Sequence, residues 1–389
     1  MSRCASTTLI VAALLCGNVA FAEDEPLEHK IPPGYEPEEA RDERGLWMEL
    51  EELERGINKS ALLVRDPDIN DYVNEIVCRV AGAYCDDFRV YVIRNPGFNA
   101  SMTATGMMQI WTGLIVRARS TDEIAAVVGH EIAHYTRLHS LERLRAIKSK
   151  LATGSFFDLA LVLATGVSTP VGQLTAMMSV LSFNREQETE ADILGTRLLA
   201  EASYDPHASY EVWQRIIAEE EAAAVKRKEP SMFSKTHPAS HERAAYLERL
   251  VNAAYGQPDA ERVADDDLLA IMNTHYLFLM EDQLDTNRFG RTEELLERHK
   301  ALGVEPSLVY YFYGEMFRQR GGEGDAQSAM GAYLHSVEAG MAPADAYKNL
   351  GYLHLKSGDT AAAQVQFRKY LEIDPGADDR AMIEFYLEE

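Results

Sequence analysis

His130-Glu131-Ile132-Ala133-His134 sets two imidazoles four residues apart with a carboxylate beside the first. On a helix, positions i and i+4 share a face, so both rings reach one metal ion while Glu131, one residue round, leans toward the ion's open coordination position. The chemistry such a trio serves is hydrolysis by water activated on zinc. The bland alternative is a pair of core histidines bonded to backbone carbonyls. It buries two imidazoles and a carboxylate, which is costly unless each finds a partner.

A catalytic zinc site takes three protein ligands and keeps a fourth position for water. Glu188 is the candidate third ligand. In Asn184-Arg185-Glu186-Gln187-Glu188-Thr189-Glu190-Ala191-Asp192, Glu188 and Asp192 are four apart and share a helix face. Glu188 then binds the ion while Asp192 accepts a hydrogen bond from the far ring nitrogen of a ligand histidine. Glu186 and Glu190 read as an acidic, solvated face of the same helix.

Two helices must position these groups. Ser120-Thr121-Asp122-Glu123 offers a capping box, and Ile124, Val127, Val128, Ile132 and Tyr135 follow at helical spacing. The second helix buries Ile193, Leu194, Leu198 and Leu199. Between them, Ser155 to Ser182 is rich in Leu, Val, Ala and Met, long enough to invite a membrane span. Asp158, Gly166, Pro170 and Gly172 divide it, so we read a helical hairpin over the cleft, with contact to a membrane or a partner as the alternative. Met107, Met108, Met177 and Met178 read as core filler, or else as a soft substrate-facing surface.

His-Glu-Ile-Ala-His followed by Glu-x-x-x-Asp is the gluzincin pattern. With Asn184 to Asp192 it resembles the HtpX-like, CAAX-prenyl-protease-like family of zinc metallopeptidases, in its soluble periplasmic, BepA-like branch. Asp66 to Val73 is similar to that family's opening helix, and Asn99 to Met102 with Gly106 to Gly113 resembles its edge strand beside the metal. Thr236-His237-Pro238 followed by Arg243 is similar to the segment that closes its catalytic domain. The resemblance covers about residues 45 to 255. It departs at Asn184-Arg185, where the family has Ser-Arg, and at Thr105-Gly106. It implies one zinc per chain, peptide bonds as substrate, and quality control of outer-membrane proteins as the setting. It also places His237 near the ion, to fill the water position or to stabilise the oxyanion, with Arg243 available for charge stabilisation.

Arg3, the apolar run Leu9 to Leu15 and Ala20-Phe21-Ala22 make a secretory signal over residues 1–22, with an acidic segment at 23–44. Cys16 raises a lipoprotein alternative, against which stands the bulky Leu15 before it. Cleavage after Ala22 leaves Cys78 and Cys85, an even count in an oxidising compartment, read as a disulfide. With 62 acidic against 38 basic residues the formal net charge is -24, so nucleic acid is repelled as a partner. Lys226-Arg227-Lys228 beside Glu219-Glu220-Glu221 reads as a solvated helix end; peripheral contact with anionic lipid is the alternative.

After Asp265 the pattern becomes helix pairs. Tyr347, Leu350, Gly351, Gly358, Ala363, Phe367, Tyr370 and Pro375 fall at the positions of a 34-residue tetratricopeptide unit. An earlier copy supplies Tyr310, Tyr313, Gly314, Gly324, Ala329 and Tyr333, and Leu268 to Leu302 reads as a degenerate unit. Stacked units present a concave groove that binds peptides or proteins, here clients or assembly machinery, unless they serve only as a structural cap. The expected architecture is mainly α: an α+β zincin domain with a small edge sheet over 45–255, then an all-α repeat solenoid over 265–389. The rival reading is a chaperone-like assembly factor whose metal site is silent or gated shut.

Overall fold

The computed structural model describes residues 27–37, 42–150, 169–174, 183–222, 237, 240–258 and 265–388. The expected signal peptide, most of the apolar 155–182 segment, Met177, Met178 and Lys226-Arg227-Lys228 lie outside them. The described residues are mainly helical, with one three-stranded sheet.

Helix α1 (Asp42–Ile57) leads to α2 (Pro67–Ala81), which is capped by Asp66, whose side chain accepts from Asp68 and Ile69 N–H. A disulfide joins Cys78 at the end of α2 to Cys85 in the 3-10 turn that follows, with Cα atoms 4.6 Å apart. Strands β1 (Arg89–Ile93), β2 (Ala100–Met102) and β3 (Met107–Trp111) form a sheet ordered β1-β3-β2. β3 pairs parallel with β1 and antiparallel with β2, with Ala100 opposite Ile110. Met107 and Met108 are fully buried, which makes them core and not a substrate surface.

α3 (Thr112–Arg117) and α4 (Thr121–Thr136) follow; α4 is buried from Glu123 through Thr136, so its apolar stripe has become the centre of the domain. The capping box expected at Ser120 does not form. Glu123 instead accepts from Arg119 N–H and Nε and pairs with Arg215, because two guanidiniums hold a buried carboxylate more strongly than a neutral cap does. The first N–H of α4, at Thr121, is satisfied by Asp265, 2.7 Å away. α5 (His139–Lys150) starts straight after α4.

α6 (Arg185–Glu201) lies across α4, and two glycines set how closely. A Cβ on Gly129 would meet the Gly195 carbonyl oxygen at 2.9 Å, and a Cβ on Gly195 would meet His130 N at 2.8 Å. The backbones touch beside His130, which brings the acidic face of α6 onto the imidazoles of α4. Asn184 caps α6 with a complete capping box to Gln187, which fixes where that helix starts. α7 (Ala208–Ala222) and α8 (His241–Tyr255) complete this part.

The C-terminal part is helical throughout: α9 (Asp266–Asp285), α10 (Phe289–Leu302), α11 (Pro306–Arg320), α12 (Asp325–Ala339), α13 (Ala344–Ser357), α14 (Thr360–Ile373) and α15 (Arg380–Glu388). Successive pairs pack alike. A Cβ on Gly314 would stand 2.4 Å from the Tyr333 ring, and one on Gly351 would stand 2.5 Å from the Phe367 ring. Each glycine therefore lets an aromatic of the second helix lie on the backbone of the first.

These helices are anchored to the first part by buried polar contacts. Arg117 is buried and donates to Glu219 Oε1 (2.7 Å), Gln283 Oε1 (2.6 Å) and Pro96 O (2.7 Å). His299 Nε2 donates to Val116 O at 2.8 Å, and its Nδ1 accepts from the Tyr276 hydroxyl at 2.6 Å. Arg117 leads among the groups near Glu219 that outweigh burial and hold its carboxyl down to about 2. No helix among the described residues is long and apolar enough to cross a membrane.

Candidate metal centre

Four donors converge where α4, α6 and His237 meet. His130, His134, Glu188 and His237 are all buried, and their ligand atoms lie within 4.8 Å of one another. His130 Nε2 is 3.0 Å from His134 Nε2 and 3.5 Å from Glu188 Oε2; His134 Nε2 is 3.6 Å from Glu188 Oε1. His237 Nδ1 is 3.1 Å from both His130 Nε2 and Glu188 Oε1. Ligands 2.0–2.1 Å from a tetrahedral zinc stand about 3.3 Å from each other, and these separations bracket that spacing. Three ring nitrogens and a carboxylate are also a donor set that zinc prefers. The residues present fit the ion.

Glu131 faces the same space. Its carboxylate is 3.2 Å from His237 Nε2, and burial pushes it above the ordinary carboxylate range against the pull of His237 and His130. For Glu188, burial works against the charge, but His237 and Arg243 outweigh it and hold the carboxylate well below its usual range. Burial alone would lower His130; hydrogen bonds to Asp192 and Glu188 reverse this and raise it to about 9. The two carboxylates thus favour a cation at His130, for which a proton and a metal ion compete. Burial, joined by His130, drives His134 well below its ordinary value, which leaves it neutral as a ligand must be.

Asp192 Oδ1 lies 3.1 Å from His130 Nδ1, the ring nitrogen turned away from the donors. Arg243, expected to be available for charge stabilisation, pairs with both Glu188 and Asp192. Its Nη1 is 2.5 Å from Glu188 Oε2, its Nη2 2.7 Å from Asp192 Oδ1, and its Cζ lies 3.9 Å over the Trp213 ring. It therefore orders the two acidic residues of α6. Cys78 and Cys85 lie apart from the site, at the end of α2.

Three groups were not expected at the site from the sequence. Phe183 stacks on the His134 ring with centroids 3.8 Å apart. His139 Nδ1 is 2.8 Å from His134 Nδ1, and Glu190, assigned to a solvated face, is 3.2 Å from His139 Nε2. The one available signal was a third histidine five residues after His134.

Comparison with known proteins agrees with this geometry. Residues 64–251 match the profile of peptidase family M48. The mitochondrial metalloendopeptidase OMA1 of Schizosaccharomyces pombe is 30% identical over 184 residues, 46% of this chain and 51% of that protein. A putative beta-barrel assembly-enhancing protease of Vibrio cholerae is 28% identical over 200 residues, covering 49% and 40%. The beta-barrel assembly-enhancing protease of Escherichia coli K12 is 25% identical over 295 residues, covering 66% and 59%. The chain thus spans about half the length of the curated relatives it matches. Residues 64–251 of this chain are therefore a peptidase family M48 domain.

Proposed function

We propose that this chain is a periplasmic zinc endopeptidase that cuts unfolded or misassembled outer-membrane proteins. The observation that carries the reading is the convergence of His130, His134 and Glu188 with the buried carboxylate of Glu131 beside them. Zinc, when bound, supplies Lewis acidity toward a peptide carbonyl and makes water acidic enough to lose a proton near neutral pH. Glu131 takes that proton and passes it to the leaving amine, a task suited to a carboxylate whose affinity for protons burial has raised. Asp192 turns His130, and Arg243 holds Glu188 and Asp192 in register.

Several features support the setting. Relatives carry the name beta-barrel assembly-enhancing protease, and the Cys78–Cys85 disulfide suits an oxidising compartment. The C-terminal helix pairs, read as tetratricopeptide-like repeats, would hold the client or the assembly machinery; the glycine-aromatic packing of Gly314 with Tyr333 and Gly351 with Phe367 supports that reading. The test is a zinc-loaded chain incubated with a urea-unfolded porin. Cleavage that stops on chelation and returns with zinc is expected; a porin left intact under all conditions would overturn the proposal.

A second reading has its own observation: His237 Nδ1 stands at the fourth corner, 3.1 Å from two other donors. In that position it closes the site, so the resting enzyme is gated and acts as a client-binding factor until His237 withdraws.

A further inference from the structure

His139 lies fully buried against a metal-ligand candidate, and its two ring nitrogens each have one partner in line. Nδ1 is 2.8 Å from His134 Nδ1, and Nε2 is 3.2 Å from Glu190 Oε2. Donors and acceptors must alternate along such a row. Glu190 is gripped by Arg137, whose Nε and Nη2 donate to Oε2 at 2.9 and 2.7 Å, so it is an ionised carboxylate and only accepts. The His139 proton therefore sits on Nε2, and its Nδ1 offers a lone pair. Into that lone pair His134 Nδ1 must donate. His134 is left with its own lone pair on Nε2, the nitrogen that faces His130 and Glu188.

The backbone is arranged for this contact. Leu138, between α4 and α5, has φ 58°, a left-handed conformation that a branched non-glycine residue adopts only when its surroundings impose it. The reversal there starts α5 at His139 and returns the imidazole beneath His134.

We propose that His139 and Glu190 form a positioning relay that fixes His134 in its metal-binding tautomer. The relay does for the second histidine ligand what Asp192, 3.1 Å from His130 Nδ1, does for the first. It rests on the zinc-peptidase reading above and adds two residues to that site's machinery.

The experiment is zinc affinity by competition with a chromophoric chelator, read on the full chain without any substrate. His139→Leu should weaken binding by about 10- to 100-fold, while His139→Gln, whose side-chain carbonyl accepts from His134 Nδ1, should recover most of the loss. Glu190→Ala should fall between them. Imidazole nitrogen NMR of the zinc-loaded wild type should show the His134 proton on Nδ1 and the His139 proton on Nε2. That spectrum decides the matter even if the variants fold poorly: a His139 proton on Nδ1 overturns the relay. Equal losses in His139→Leu and His139→Gln, or wild-type affinity in His139→Leu, would also overturn it while leaving the peptidase reading intact. A wild-type chain that takes up no zinc would overturn both.

Discussion

Arg243→Ala removes the buried counter-charge of the site. The Arg243 side chain is 11% exposed, and the carboxylates it pairs with, Glu188 and Asp192, are 4% and 2% exposed. Breaking a buried ion pair by deleting one partner costs about 3–5 kcal/mol, because the survivor stays buried without compensation. Here one guanidinium serves two carboxylates, so the metal-free variant should lose stability at the upper end, about 5 kcal/mol. In the zinc-saturated chain the ion's charge offsets part of that deficit, and the loss should shrink to about half. By linkage, a smaller loss with zinc means that zinc stabilises the variant more than the wild type. The assay is urea unfolding at pH 7 with excess zinc and with chelator. Arg249→Ala, exposed on the same helix, serves as control and should stay within about 0.5 kcal/mol of wild type. A metal-free loss below about 1 kcal/mol, or equal losses in both states, would refute the assignment of Arg243 as the counter-charge.

The junction predicts a pH dependence of stability: burial holds His299 neutral in the folded chain down to about 3, against 6.5 unfolded. The unfolded chain binds the extra proton, so stability falls as pH drops from 6.5 toward 3, by about 1.4 kcal/mol per unit for this group. Unfolding curves of wild type and His299→Gln should differ in slope by close to one proton in that window; parallel curves would contradict it. His237→Ala should raise basal cleavage and self-cleavage if the ring fills the fourth corner, as its 3.1 Å distances favour. A rate lowered by about 100-fold would instead make it an oxyanion group.

Much of the site was legible because its chemistry is written in helical spacing. His130, Glu131 and His134 lie within five residues, and Glu188 and Asp192 share a face that the Gly129–Gly195 contact presses onto them. The rest depended on geometry that spacing does not encode. His139 joins the site only because Leu138 reverses the chain at φ 58°, which no propensity of leucine suggests. Glu190 looked like a solvent-facing acid until Arg137 and His139 gave it partners. The Ser120 capping box failed because Glu123 was claimed by Arg119, four residues before it, and by Arg215 across the fold, so a tertiary partner joined a competing local one. The change of pattern to helix pairs after Asp265 was visible in the sequence. The buried Arg117–Gln283 and His299–Val116 contacts that join the two parts were not, since each pairs residues more than 150 positions apart.

The central claim is that Glu131 is the base of a zinc-dependent hydrolysis and not a structural carboxylate. Glu131→Gln removes a proton acceptor and no ligand, so metal analysis should still find about one zinc per chain, while cleavage of unfolded porin should fall by about 100- to 10,000-fold. Wild-type cleavage by the zinc-loaded variant would contradict the account.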